Sequence, residues 1–207
     1  ADNIGFIYAI DLYDGKLLWL KNHGIPLRSN IKTFKNKLFV INQDNRLLCL
    51  NTKDGTKIWD IRSITSFIKL QNLLSLAVTK QKDLLAINSA GDLIKTNPNN
   101  GFVYWSVNAT SSLYAHATDF LKTSEIVVTD DAVIFSTGTS IFSYNLNDSS
   151  INWEKNVASV AAPIVDGKNI FFVTSNGFFV IMDIDTGKII SSNYILKTLK
   201  KKKQETK

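Results

Sequence analysis

One cysteine, one methionine, two histidines and three prolines are all that these 207 residues contain of those four types. With Cys49 alone, no disulfide can close within the chain and no cysteine cluster can hold a metal. His23 and His116 lie far apart in sequence, and each reads as a solvated or hydrogen-bonded loop histidine rather than half of a metal site. No run of eighteen apolar residues occurs, so no membrane-spanning helix is expected. The serines form no Gly-x-Ser-x-Gly elbow, and no phosphate-cradling glycine loop is present. The opening residues "ADNIGF" carry no basic-then-apolar leader and begin in the middle of a repeat, so the chain is expected to be a piece of something longer.

Charge is the next near-absence. Lys+Arg 24 against Asp+Glu 18 gives a net charge of +6, but residues 195–207, "ILKTLKKKKQETK", hold most of it. The body is close to neutral, whereas a nucleic-acid binder carries its charge as a stripe on folded structure. No nucleic acid is expected as partner, and the lysine run at 197–207 reads as a solvated loop or tail. Hydrophobic content of 44% is that of a globular protein with a real core.

What is abundant is repetition. "FIYAIDLYDGKLLWL" at 6–20 returns as "RLLCLNTKDGTKIWD" at 46–60, "DLIKTNPNNGFVYWS" at 92–106, "SIFSYNLNDSSINWE" at 140–154 and "FFVIMDIDTGKIISS" at 178–192. Gly15, Gly55, Gly101, Ser149 and Gly187 fall in register, spaced 40, 46, 48 and 38 residues apart. Four residues later stand Trp19, Trp59, Trp105 and Trp153, all the tryptophan there is, and then Ser191. Periods of this size mark a solenoid, propeller or array.

Each unit is built of strands. The apolar segments "KLFVIN", "DLLAIN", "AVIFST" and "NIFFVT" precede the phrase and end in turn pairs such as Asp44-Asn45 and Asn176-Gly177, which are hairpin signals. An earlier segment supplies a fourth strand, so one unit reads as four antiparallel strands, A to D, with the repeated phrase as the C–D hairpin. The polar residue closing strand C (Asp11, Asn51, Asn97, Asn145 or Asp183) can bond the backbone two residues on. The glycine supplies a left-handed turn; Ser149 there costs about 1 kcal/mol unless the turn changes type. The tryptophan lies on the outermost strand, where its face can cover the seam to the next unit. Inner strands apolar on both faces, such as "LFVI" and "IFFV", fit sheets covered on both sides, which favours a propeller over a solenoid. The fold class expected is therefore all-β: a partial β-propeller over residues 1–196, about four and a half four-stranded blades of a seven- or eight-bladed parent.

Tyr8-Ala9-Ile10-Asp11, then Asp14-Gly15-Lys16 and Trp19, resemble the pyrroloquinoline-quinone-type propeller repeat, whose usual form is Y-A-L-D, T-G-K, then Trp. "MDIDTGKI" from Met182 matches that hairpin nearly letter for letter, and the resemblance runs over essentially the whole chain. The Trp59-Asp60 pair of a WD-type propeller occurs once, without its upstream Gly-His, and is coincidence. In enzymes of this superfamily the resemblance implies a quinone held over calcium by adjacent cysteines, a tryptophan floor and an Asp–Glu–Asn set. Here no adjacent cysteines exist, glutamate occurs only at Glu125, Glu154 and Glu205, and the tryptophans belong to the repeat. No catalytic, cofactor or metal residue is assigned, and no cofactor is expected; a quinone-dependent dehydrogenase fragment or a generic extracytoplasmic adaptor is the alternative. Among non-enzymatic members the chain is most similar to the lipoprotein propeller subunits of the outer-membrane β-barrel assembly machinery. That likeness implies a scaffold on the periplasmic face of the outer membrane, docked on the barrel-insertase subunit and tethered by a lipid anchor this chain does not carry. Cys49, inside strand C of its unit, cannot be that anchor.

The stretched spacings come from two connections, "RSITSFIKLQNLLS" at 62–75 and "VNATSSLYAHATDFLKTS" at 107–124. Both join strand D of one unit to strand A of the next and so should emerge on one rim. Phe67, Ile68, Leu70, Leu113, Tyr114 and Phe120 give them the apolar and aromatic content of interface cores. The other reading of these side chains is that they fold back over the sheets.

Overall fold

The computed structural model describes residues 1–2, 4–63, 74–111, 116–157, 159 and 161–196. The lysine-rich segment 197–207 lies outside them. The chain folds as two compact units, Ala1–Ser111 and Ser112–Lys207.

The first unit holds three antiparallel sheets. The repeated phrase at its start gives a two-stranded sheet, β1 (Phe6–Ile10) with β2 (Leu17–Asn22). A four-stranded sheet follows: β3 (Lys32–Phe34), β4 (Lys37–Ile41), β5 (Leu47–Asn51) and β6 (Lys57–Ile61). The third sheet comprises β7 (Ser75–Val78), β8 (Leu84–Ile87), β9 (Asp92–Thr96) and β10 (Val103–Asn108). In the second unit, β11 (Val127–Val128), β12 (Ala132–Ser136), β13 (Ile141–Asn145) and β14 (Ile151–Lys155) form one sheet. The other is β15 (Ile164–Asp166), β16 (Asn169–Val173), β17 (Phe178–Asp183) and β18 (Ile189–Tyr194). In every four-stranded sheet the strands lie in chain order and pair antiparallel, the blade of a β-propeller.

The core is made of seams between such sheets. Side chains alternate along a strand, so β4 sends Leu38 and Val40 one way and Phe39 and Ile41 the other. Leu38 and Val40 join Ile7, Leu27, Leu48 and Leu50 against the first sheet, with Trp19 packed on them. Phe39 and Ile41 join Leu47, Cys49, Leu74, Leu76, Leu84 and Ala86 against the third, with Trp59 packed on them. In the second unit Ile134, Ile141, Trp153, Ile170, Phe172, Val180 and Met182 form the corresponding layer. β4, β8 and β12 are buried over both faces, as their unbroken apolar runs require. β16 departs from that expectation: Ile170 and Phe172 are buried, while Phe171 is half-buried and Val173 exposed. One face of this sheet carries the seam, and the stacked Phe171 and Phe179 rings lie on the other.

The C–D hairpins repeat one backbone hydrogen bond. The backbone N–H of Gly15, Gly55, Gly101, Ser149 and Gly187 donates to the carbonyl of Asp11, Asn51, Asn97, Asn145 and Asp183 at 2.8–3.1 Å. The side-chain oxygen of those strand-closing residues accepts from the N–H two residues on in four turns, and from Thr186, three on, in the last. Ser149 does not change the turn: its φ is 63°, beside 70° at Gly55 and 64° at Gly187, so the serine carries the left-handed strain. Of the B–C turn pairs, Asn45, Gly91 and Gly177 take positive φ, whereas Gly138-Thr139 does not. There Thr137 Oγ1 accepts from the Thr139 and Ser140 N–H groups and shapes the turn instead.

Candidate interaction surface

The platform on which any surface must stand is fixed by three indole clasps. Trp19 Nε1 donates to the Thr52 carbonyl at 2.9 Å, Trp59 Nε1 to Pro98 at 3.3 Å and Trp153 Nε1 to Ile184 at 2.8 Å. Each acceptor is the residue after the one that closes strand C in the following sheet. Each ring lies flat on the turn glycine just beyond: a Cβ on Gly55, Gly101 or Gly187 would stand 2.6, 2.9 or 2.6 Å from ring carbon. The glycines therefore serve twice, supplying positive φ and room for an indole. A β-bulge aims the rings. In every C–D pair one residue is skipped just before the third position of strand D: Leu18, Ile58, Tyr104, Asn152 and Ile190 have no partner, while Trp19 pairs with Ala9, Trp59 with Cys49 and Trp153 with Ser143. The extra residue twists the strand so that one large side chain faces the next sheet. Trp105 holds the same place in β10, opposite Lys95, and Ser191 in β18, opposite Ile181.

The two long connections begin from one carboxylate. Asp92, the first residue of β9, accepts from the Ser63 hydroxyl, from Asn88 Nδ2 at 3.1 Å and from Asn108 Nδ2 at 2.6 Å. Ser63 lies at the start of the connection at 62–75, which leaves β6 of the second sheet, and Asn108 at the start of the one at 107–124, which leaves β10 of the third; both bond to Asp92, so the two roots meet beside the Asn88–Gly91 turn. Leu74 closes the first of them by donating its N–H to the Arg28 carbonyl at 2.5 Å. The second closes in the other unit through a 3-10 helix, Ala117–Lys122. Asp119 anchors that helix, accepting from the His116 N–H at 2.7 Å and the Thr139 hydroxyl at 2.9 Å.

Of the six candidate contact residues, Phe67, Ile68, Leu70, Leu113 and Tyr114 lie outside the described residues. Phe120 is corrected: it is 0% exposed, its ring 6.0 Å from that of Phe142. The helix turns it inward against Phe142 of β13. For this residue the folded-back reading holds.

The remaining chemistry is quiet. Burial pushes the Cys49 thiol up to about 12, so it stays a neutral apolar side chain. Asp60 is held below the usual carboxylate range, first by the Lys57 ammonium at 2.9 Å. Desolvation pulls His23 below its ordinary value, and Lys21 and Lys57 push the same way. His23 borders a 540 Å³ cleft shared with Asn42, Arg46 and Lys57. Among the described residues no three His, Cys, Asp or Glu side chains meet as a metal set. Nor is the tryptophan floor of a quinone site offered by Trp19, Trp59 or Trp153, whose faces and N–H groups are committed to seams.

Sequential four-stranded sheets stitched by indole-on-glycine seams define a propeller of the pyrroloquinoline-quinone repeat class. Within that class, the family of outer membrane protein assembly factor BamB matches residues 3–193, and the chain belongs to it. BamB of Shewanella oneidensis is 26% identical over 215 residues, covering 92% of this chain and 52% of that protein. The chain thus spans about half the length of the curated relatives it matches. The crystal structure of BamB from Moraxella catarrhalis superposes with a TM-score of 0.79 at 12% identity, over 92% of this chain and 59% of that one. Quinohemoprotein alcohol dehydrogenase from Comamonas testosteroni shares the fold at a TM-score of 0.68 and 16% identity, over 93% of this chain and 40% of that one.

Proposed function

We propose that this chain is part of a non-catalytic protein-binding scaffold that assists assembly and insertion of outer-membrane β-barrel proteins at the periplasmic face of the outer membrane. The observation that carries the reading is the BamB family match over residues 3–193. The seams support it: Trp19, Trp59 and Trp153 are spent on holding sheets together, and two long connections are rooted side by side on Asp92. Loops on a rigid scaffold are where binding residues concentrate. The partner proposed is the barrel-insertase subunit, met through Phe67, Ile68, Leu70, Leu113 and Tyr114, with attachment to the membrane through a lipid anchor elsewhere in the parent protein.

Co-purification of the chain with the periplasmic domains of that subunit tests the reading. A complex is expected, weakened at least about tenfold by Phe67→Ala with Tyr114→Ala, as for truncated interface anchors, with unfolding midpoints unchanged. Absence of a complex, or stoichiometric uptake of a quinone with calcium, overturns it.

A further inference from the structure

The 540 Å³ cleft at the end of β2 is bordered by His23 on one side and by Asn42, Arg46 and Lys57 of the second sheet on the other. Its walls are tied in place. The His23 N–H donates to the Gly5 carbonyl, the Gln43 N–H to the Pro26 carbonyl and the Arg28 N–H to the Ile41 carbonyl, each at 2.8 Å. Asn42 Oδ1 accepts from the Asp44 and Arg46 N–H groups at 3.0 Å, which fixes the turn that carries Arg46.

The charges gathered around this cleft do not cancel. Asp60 lies 2.9 Å from Lys57 Nζ and 3.3 Å from Arg46 Nε, and the Arg62 charge also acts on it. Lys21 stands near both His23 and Asp54. Lys21, Arg46, Lys57 and Arg62 against Asp54 and Asp60 leave a surplus of two positive charges before His23 is counted. Arg46 meets Asp60 through Nε, the nitrogen next to its stem, and so keeps the terminal pair of its guanidinium for a second acceptor. His23 Nε2 is buried and has no hydrogen-bond partner among the described residues, where buried polar atoms are as a rule paired. The groups facing the imidazole are the Lys21 ammonium of β2, the Lys57 ammonium of β6 and the Gly55 carbonyl of the turn between β5 and β6.

We propose that this cleft binds a doubly charged tetrahedral oxyanion of the phosphate type, held by the Arg46 guanidinium and the Lys57 ammonium, with the His23 imidazolium as the third group. A guanidinium fork beside an ammonium is the donor set that phosphate recognition uses, and the surplus equals the charge of the ligand. A carboxylate would meet only half of it. The anion offsets the repulsion of Lys21 and Lys57 that disfavours the imidazolium, so anion binding and protonation of His23 reinforce each other. The inference does not depend on the role proposed above.

Sulfate, which stays doubly charged across the working pH range, is the probe. The full chain is titrated with sodium sulfate at constant ionic strength, balanced with sodium chloride, and followed by amide and imidazole NMR signals. Saturable shifts are expected at Gly24, Arg46 and Lys57, with affinity about fivefold higher near pH 5.5 than near pH 7.5, as for a histidine whose pKa rises by about one unit on binding. His23→Gln should retain binding near pH 7.5 and lose the pH dependence. Arg46→Gln should weaken binding at least about tenfold. Asp60→Asn removes the competing carboxylate and should tighten binding about threefold, a gain that a folding defect cannot produce. Inorganic phosphate should displace the sulfate. Displacement by phosphatidylglycerol vesicles as well assigns the ligand to a lipid headgroup, and its failure there assigns it to a soluble phosphate. If the shifts follow ionic strength alone, or if R46Q and D60N both bind sulfate as the unaltered chain does, the proposal fails.

Discussion

Alanine at Gly55 and at Gly15 should differ sharply, although the two turns share their backbone conformation. Both residues have a φ of 70°, so each substitution carries the left-handed penalty of about 1 kcal/mol. At Gly15 the new methyl enters open space and the cost ends there. At Gly55 the methyl would stand 2.6 Å from Trp19 Cζ3 and 3.0 Å from two further ring atoms. Carbon pairs settle at roughly 3.5–4.0 Å, so the indole must retreat by about 1 Å. Retreat stretches the 2.9 Å bond from Nε1 to Thr52, a loss of about 1 kcal/mol. It also opens the cluster of Ile7, Leu27, Leu38, Val40, Leu48 and Leu50 to water, for another 1 kcal/mol or roughly so. Gly55→Ala should therefore cost about 3 kcal/mol against about 1 for Gly15→Ala, with Gly101→Ala and Gly187→Ala following Gly55. Urea unfolding followed by far-ultraviolet circular dichroism supplies the free energies, and indole emission shifted to longer wavelength marks the displaced ring. Equal destabilisation at Gly15 and Gly55, or unchanged emission in Gly55→Ala, would refute the account of the seams.

Two further outcomes follow from single residues. Ser149→Gly should raise stability by about 0.5–1 kcal/mol in the same unfolding assay, because φ of 63° strains a side chain that glycine lacks. His23 titrates below its ordinary value because burial and the Lys21 and Lys57 charges disfavour the imidazolium. The unfolded chain then binds the proton first as pH falls, so His23's share of stability is present above about pH 6.5 and is lost progressively below it. The aspartates that the fold holds low, Asp54 and Asp60 among them, lose theirs only at more acid pH. His23→Gln should flatten the unfolding midpoint between pH 7 and 5, and a slope that persists in this variant would remove His23 as its source.

The sequence announced the sheets because strand-length apolar segments and a turn residue at fixed distance, glycine in four copies and Ser149 in the other, are local features repeated along the chain. The clasp was half legible. Four tryptophans in one register pointed to a seam, but not to the carbonyl that receives each N–H, which belongs to a residue of no fixed type: Thr52, Pro98 or Ile184. The bulge was missed, although it is encoded in the constant four-residue step from glycine to tryptophan, one residue longer than an even ladder would use. Phe120 was misjudged for a different reason. An aromatic side chain in a long connection reads alike whether it faces solvent or turns back, and only the helix at Ala117–Lys122 and the ring of Phe142 decide between them. Asp92 gave no sign in sequence of joining Ser63 to Asn108, since its partners lie 29 and 16 residues away.

Conserved step and variable spacing together say where this architecture can change. The turn residue, glycine in four copies and Ser149 in the other, stands four residues before the strand-D position in all five copies, while turn to turn runs 40, 46, 48 and 38. All of that variation falls outside the clasp, because the indole reaches the following sheet through its own ring and not through the intervening chain. A connection can therefore lengthen without loosening the seam it spans, at a loop-closure cost that grows only with the logarithm of length. The connection at 62–75 has used that freedom under the Trp59 clasp, and it and the connection at 107–124 are both pinned at their roots by Asp92. Rigid seams and extensible connections are separable properties of this repeat, so the fold alone does not set what a protein built from it does.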